Sequence, residues 1–226
     1  EGGHGMDFLN RMDIVHHAVY APVVAYMAFA GAAELWATGQ WDTPTKRFTS
    51  RSPASRRFIF LYFCHSVLHS AVSCAKSGPA SYKLCMVAHH MVSSALFLGG
   101  VDGGGSGHFW AVMDGLCEIT GVFLNNVYLF KLLGVSHRTL LATNGACLWL
   151  SWIVFRLCLF PAWLWLYISD RYGPEWPSIS AALPPFVAAL HRTAIPLVAT
   201  VLLLALSLHW FAPIHRGFVK ALARAL

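Results

Sequence analysis

Six apolar runs of near-bilayer length, separated by short polar connections, govern what this sequence can fold into. They extend from Ile14 to Trp36, Phe58 to Ala75, Leu84 to Gly100, Phe109 to Leu133, Leu140 to Ile168 and Leu183 to Phe211. A helix needs about 20 residues to cross a hydrocarbon core of about 30 Å. The third run is short for this task, and the last two are long enough to tilt or to kink at Pro161 or Pro196. Thr43 to Arg57, Val101 to Gly107 and Arg171 to Ser178 carry the Gly, Pro, Ser and charge that stop helices between them. The predicted fold is all-α, a polytopic transmembrane bundle of about six spans. Residues 1–11 form an N-terminal segment and residues 12–226 one transmembrane domain.

Composition agrees. Hydrophobic residues make up 57% of the chain and charged residues only 12%, whereas soluble domains carry roughly 25% charge. The apolar and aromatic content rules out a disordered chain. The net charge of +6, from 16 basic and 10 acidic residues, is placed in short loops and the tail. That is the pattern of topology signals and anionic-headgroup contacts rather than of a nucleic-acid surface, so no nucleic-acid partner is expected. The first loop (Lys46, Arg47, Arg51, Arg56, Arg57) and the tail (Arg216, Lys220, Arg224) both claim the cytoplasmic side. Six spans put them on opposite faces, and orientation stays open. Cys64, Cys74, Cys85, Cys117, Cys147 and Cys158 form no CxxC pair and read as small buried apolar residues.

Ionisable groups inside apolar runs cost several kcal/mol in lipid and persist where they face a partner or a cavity. Here they recur: His16 and His17, His65 and His69, His89 and His90, Asp114 and Glu118, Arg156, and His191 with Arg192. At 3.6 residues per turn, Asp114, Cys117, Glu118, Gly121 and Asn125 share one stripe, which is predicted to face inward. His65 and His69 share a face with Ser66, Ser70 and Ser73 near it. The simplest packing turns these faces toward one central polar pocket. His89 and His90 point about 100° apart and so need separate partners. A single intramembrane His is ordinarily a hydrogen-bonded packing residue, and Glu118 has a structural alternative as counter-ion of Arg156. Trp149, Trp152, Trp163 and Trp165 read as interfacial belt and packing.

Four segments carry a likeness to a known family. AHHMVSSALF (88–97), CEITGVFLNN (117–126), WIVFRLCLFP (152–161) and LHWFAPIHRGFVKAL (208–222) follow one another as do the His-His, Glu, Arg-Pro and closing Trp-Phe/Arg-Gly/Lys motifs of TLC-domain (TRAM/LAG/CLN-type) membrane proteins. That family includes the ceramide synthases. Cys117 stands where the synthases carry a second acid, Val122 replaces their Pro, and Ser66 replaces an Asp. The chain therefore resembles TLC-only proteins more closely than true ceramide synthases.

The resemblance implies a TLC-type bundle acting in lipid metabolism or membrane lipid composition, with the endoplasmic reticulum as the family-level location. The enzymatic reading is acyl transfer from acyl-CoA, as co-substrate, to a lipid acceptor. His89 or His90 acts as base or nucleophile, Asp114 and Glu118 orient it and balance its charge, and Arg156, Asn125, His65 and His69 bind substrate. The alternative is a non-enzymatic lipid-binding, scaffold or accessory subunit. Partners are membrane lipids and other membrane subunits. No cofactor and no metal ligand is assigned. The HxxxH of His65 and His69 is too few ligands for a His-box di-iron oxidase, and no His pairing demands haem.

Overall fold

The computed structural model describes Met12 and residues 16–75, 80–101 and 107–223. The described residues fold as helices joined by short connections, in keeping with the all-α expectation. A π-turn, His16–Tyr20, leads into α1 (Ala21–Ala37); a short α2 (Pro44–Thr49) follows, then α3 (Pro53–Ala75) and α4 (Ala80–Val101). The next helical stretch is α5 (His108–Gly115), a 3-10 turn (Leu116–Glu118) and α6 (Ile119–Leu132). The chain continues through α7 (Arg138–Trp152), a π-segment (Ile153–Cys158) and α8 (Leu159–Arg171). The short α9 (Trp176–Ala182) and α10 (Pro185–Arg192) precede the long α11 (Ile195–Ala223).

Among the described residues, four helices are long and apolar enough to cross a membrane: Ala18–Ala37, Pro53–Ala75, Arg138–Arg171 and Ile195–Ala221. The other two expected spans coincide with α4 and with the stretch 108–132. Both carry the ionisable groups, and α5 is buried along its whole length. Buried among other helices, α5 is freed from the uniformly apolar surface that lipid demands. The inward-facing stripe on this stretch is thus part of a larger burial: every residue of α5 is covered, while Glu118, Gly121 and Asn125 below it are partly buried.

The sixth expected span needs correction. Pro185–Arg192 is a separate short helix, so His191 and Arg192 lie outside the spanning helix, which starts only at Ile195. Pro196 sits in the first turn of α11, where its missing N–H costs nothing, so it starts a helix rather than kinking one. Pro161 lies three residues past the π-segment, in the first turn of α8, and local π adjustments are one way a spanning helix accommodates a proline.

Close approach at two glycines holds the centre together. A Cβ on Gly115 would collide with the Phe58 ring, and one on Gly31 would lie 2.9 Å from Ser55 Oγ and 3.1 Å from Val112 Cγ2. α1, α3 and α5 therefore meet backbone to side chain around Phe58, Tyr62, Phe97, Phe109 and Val112.

One end of the bundle is stitched by polar contacts. The N–H groups of Ser52 and Phe109 donate to His108 Nδ1 (2.9 Å) and Ser50 Oγ (2.8 Å), while Gly107 turns into α5 at φ +82°. Glu34 Oε2 accepts from Ser52 Oγ and from the N–H of Ala54, capping α3. Arg47 forks onto Asp170, with Nε to Oδ2 at 2.5 Å and Nη2 to Oδ1 at 2.6 Å. Phe48 packs against Trp110, Tyr167, Trp176 and His191. The first loop, the start of α5 and the 172–194 connection thus share one end. Of the five cations in the first loop, Arg47 pairs with Asp170 and Lys46 faces Asp42 at 3.0 Å.

Candidate functional site

α3 and α4 pack against each other and set their histidines face to face. His65 and His69 are one turn apart on α3, and His90 reaches them from α4. His69 Nδ1 and His90 Nε2 are 2.8 Å apart. The His65 ring lies 5.6 Å from His69 and 5.5 Å from His90, and is stacked on Tyr20 at 4.9 Å. One ligand nitrogen from each of the three imidazoles falls within 4.8 Å of the others. From sequence alone these two α3 histidines are expected to bind substrate, and no metal ligand is expected. Their HxxxH spacing is the available signal, but the third imidazole comes from another helix and is visible only in the fold.

His89 takes the other direction, as the 100° offset requires. Its ring lies 5.3 Å from His90 and 5.5 Å from Trp210 of α11, meeting the latter edge to face. It is buried, and its Nδ1 has no hydrogen-bond partner among the described residues.

The acid and Arg residues converge from α5, the 3-10 turn and the π-segment. Arg156 is buried; its Nε donates to Thr120 Oγ1 at 2.8 Å and its guanidinium lies 4.6 Å from the centroid of the Trp152 ring. No ion pair within 4.0 Å joins Arg156 to Asp114 or Glu118 among the described residues. Arg156 Nη1 and Asp114 Oδ1 are buried without a hydrogen-bond partner among the described residues. Glu118 takes a 3.7 Å contact from the Cys117 thiol.

The remaining candidates divide. Asn125 is partly buried, but the bond between α6 and α7 is made by its neighbour: Asn126 Nδ2 donates to Asn144 Oδ1 at 3.1 Å, and Asn144 donates on to the Phe123 carbonyl. The side chains of His16 and His17 lie outside the described residues. His191 pairs with the Tyr167 hydroxyl at 2.9 Å, away from the other histidines. Burial, with the Arg171 charge nearby, pushes its pKa down to about 4, so it is neutral near pH 7. Among the tryptophans, Trp152 and Trp163 are packing residues, whereas Trp165 is exposed. The contacts of Thr120 and Trp152 with Arg156, and of Trp210 with His89, are not legible in the sequence, because nothing in an apolar run marks which neutral residue will touch a charged one.

The chain matches the family model described as TLC domain over residues 10–216. Neither a curated protein nor a solved structure matches it.

Proposed function

We propose a function from one premise: this multi-pass membrane chain belongs to the TLC domain family. Its interior binds the polar head of a membrane lipid and transfers to it an acyl group from acyl-CoA. One observation carries the reading. His89 Nδ1, Asp114 Oδ1 and Arg156 Nη1 are all buried and lack hydrogen-bond partners among the described residues. Unpaired buried polar atoms are costly, about 1–3 kcal/mol each and more when charged. Three of them, contributed by α4, α5 and the π-segment, are what a polar ligand would satisfy.

The roles follow from the contacts. His90 is engaged by His69, which leaves His89 as the imidazole available to the reaction. An amine or hydroxyl acceptor gives its proton to His89 as the new C–N or C–O bond forms. The thioester C–S bond breaks, and the departing CoA thiolate takes the proton back. Asp114 and Glu118 offset the imidazolium, and Arg156, held by Thr120 and Trp152, binds an anionic headgroup oxygen. Asn125 lines the same stripe. Membrane lipids are the partners this site implies.

The test is acyl transfer by purified full-length protein offered mixed acyl-CoAs and a panel of long-chain amines and alcohols. The expected result is product from wild type and its loss with His89→Ala. No product from folded wild type would overturn the enzymatic reading.

A second reading, lipid binding without turnover, is favoured by Cys117. It is buried and uncharged in character where ceramide synthases carry an acid. Its mark would be lipid retained through purification, with no acyl transfer.

A further inference from the structure

We propose that His65, His69 and His90 bind one divalent metal ion of the zinc class, with a fourth coordination position left to a small ligand. The placement comes from the fold. His65 and His69, four residues apart on α3, project from one helix face, the spacing by which a helix supplies two metal ligands. α4, packed alongside α3, adds His90. The three ligand nitrogens lie within 4.8 Å of one another.

Distances decide whether a metal fits. Zinc binds imidazole nitrogen at about 2.0–2.1 Å in tetrahedral geometry, which sets ligand nitrogens about 3.3 Å apart. The His69–His90 pair, at 2.8 Å, is slightly closer than that, and the widest separation in the trio is greater. Ring rotations that move each nitrogen by about an ångström or less reconcile both with the metal geometry. The rings already converge from different directions: His65 and His69 are nearly parallel, at 25°, and His90 stands at 86° and 73° to them. His65 and His90 are buried, and His69 is partly exposed, which gives an entry side.

The donor set selects the ion. Three imidazole donors suit zinc, copper, iron or nickel better than magnesium or calcium, which prefer oxygen ligands. Three protein ligands plus an open position is the arrangement of a reactive zinc site rather than a closed structural one. The inference is separate from acyl transfer, since the ion would be held whether or not the site near His89 turns over a substrate.

The experiment uses full-length protein purified in detergent without chelator and through a tag free of histidine. Metal content is measured by mass spectrometry, then the stripped protein is titrated with zinc and with cobalt. The expected result is about one zinc per chain and the visible absorption bands of four-coordinate cobalt. His69→Ala and His90→Ala should weaken binding by on the order of 100-fold, and His89→Ala should leave the stoichiometry unchanged. Wild type that takes up neither ion overturns the proposal and leaves a hydrogen-bonded histidine cluster. Equal retention by well-folded His65→Ala and His69→Ala also overturns it. Should the alanine variants not fold, the wild-type titration decides alone, with His69→Gln as the milder substitution.

Discussion

Removing the acid from the Arg47–Asp170 pair should be among the most damaging single changes at the end of the bundle. Asp170 is 4% exposed and Arg47 is 9% exposed. The guanidinium spends two N–H groups on the carboxylate and a third, through Nη1, on the Trp41 carbonyl at 2.5 Å. Asp170→Ala would leave a buried cation with one neutral acceptor. Breaking a buried pair from one side costs about 3–5 kcal/mol. For a chain of this size, each kcal/mol lowers Tm by about 2–4 °C, so a fall of about 6–20 °C is expected. The same account expects the apolar replacement Arg47→Met with Asp170→Leu to be close to neutral, because no charge is then stranded. The exposed pair Lys46–Asp42 supplies the contrast: Asp42→Ala should cost less than about 1 kcal/mol. Thermal unfolding in detergent, followed by fluorescence and by retention of a monodisperse peak, reads all of these. If Asp170→Ala shifts Tm no more than Asp42→Ala, the pair is not buried and the described end cluster is wrong.

Other consequences are open to the same measurement. Gly115→Ala puts a methyl group into the fully buried Phe58 ring and should cost about 1–3 kcal/mol, whereas Gly145→Ala, with nothing within 4 Å, should be neutral or stabilising. Thr120→Val removes the acceptor for Arg156 Nε and should cost about 1.5–3 kcal/mol; an unchanged Tm would mean that Arg156 is held otherwise. His191 has a folded pKa near 4, below the unfolded value of about 6.5, so the unfolded chain binds the extra proton between them. Its contribution is therefore complete above pH 6.5 and falls as pH drops toward 4, by up to about 3 kcal/mol. His191→Gln should flatten that part of the Tm–pH curve, and an unchanged slope would show that another group governs it.

Much of the fold was legible because lipid imposes length and apolarity on each span, and runs such as 53–75 and 138–171 carry both signals without interruption. The start of the sixth run departs from expectation for a physical reason. Leu183 to Arg192 is apolar enough to extend a span, but the break at Thr193 and Pro196 divides it, and only packing against Phe48 and Tyr167 reveals where His191 goes. Intramembrane polarity singled out His65, His69, His89, His90, Asp114 and Arg156 one by one. Periodicity also foretold that His89 and His90 would part company. What it did not express was pairing between helices. That His69 meets His90, and that Arg156 rests on Thr120 and Trp152 rather than on Glu118, depends on helix rotation and on the 3-10 and π turns that shift register. The same shift gives the bond between α6 and α7 to Asn126 instead of Asn125.

The claim that Arg156, Asp114 and His89 present unsatisfied groups to a lipid headgroup is tested most directly by native mass spectrometry of the detergent-purified protein, comparing wild type with Arg156→Gln. The account predicts a bound lipid of defined headgroup on wild type and its loss or marked depletion in the variant, with both proteins monodisperse. Wild type that carries no lipid, or a variant that retains the same lipid at the same occupancy, would contradict it.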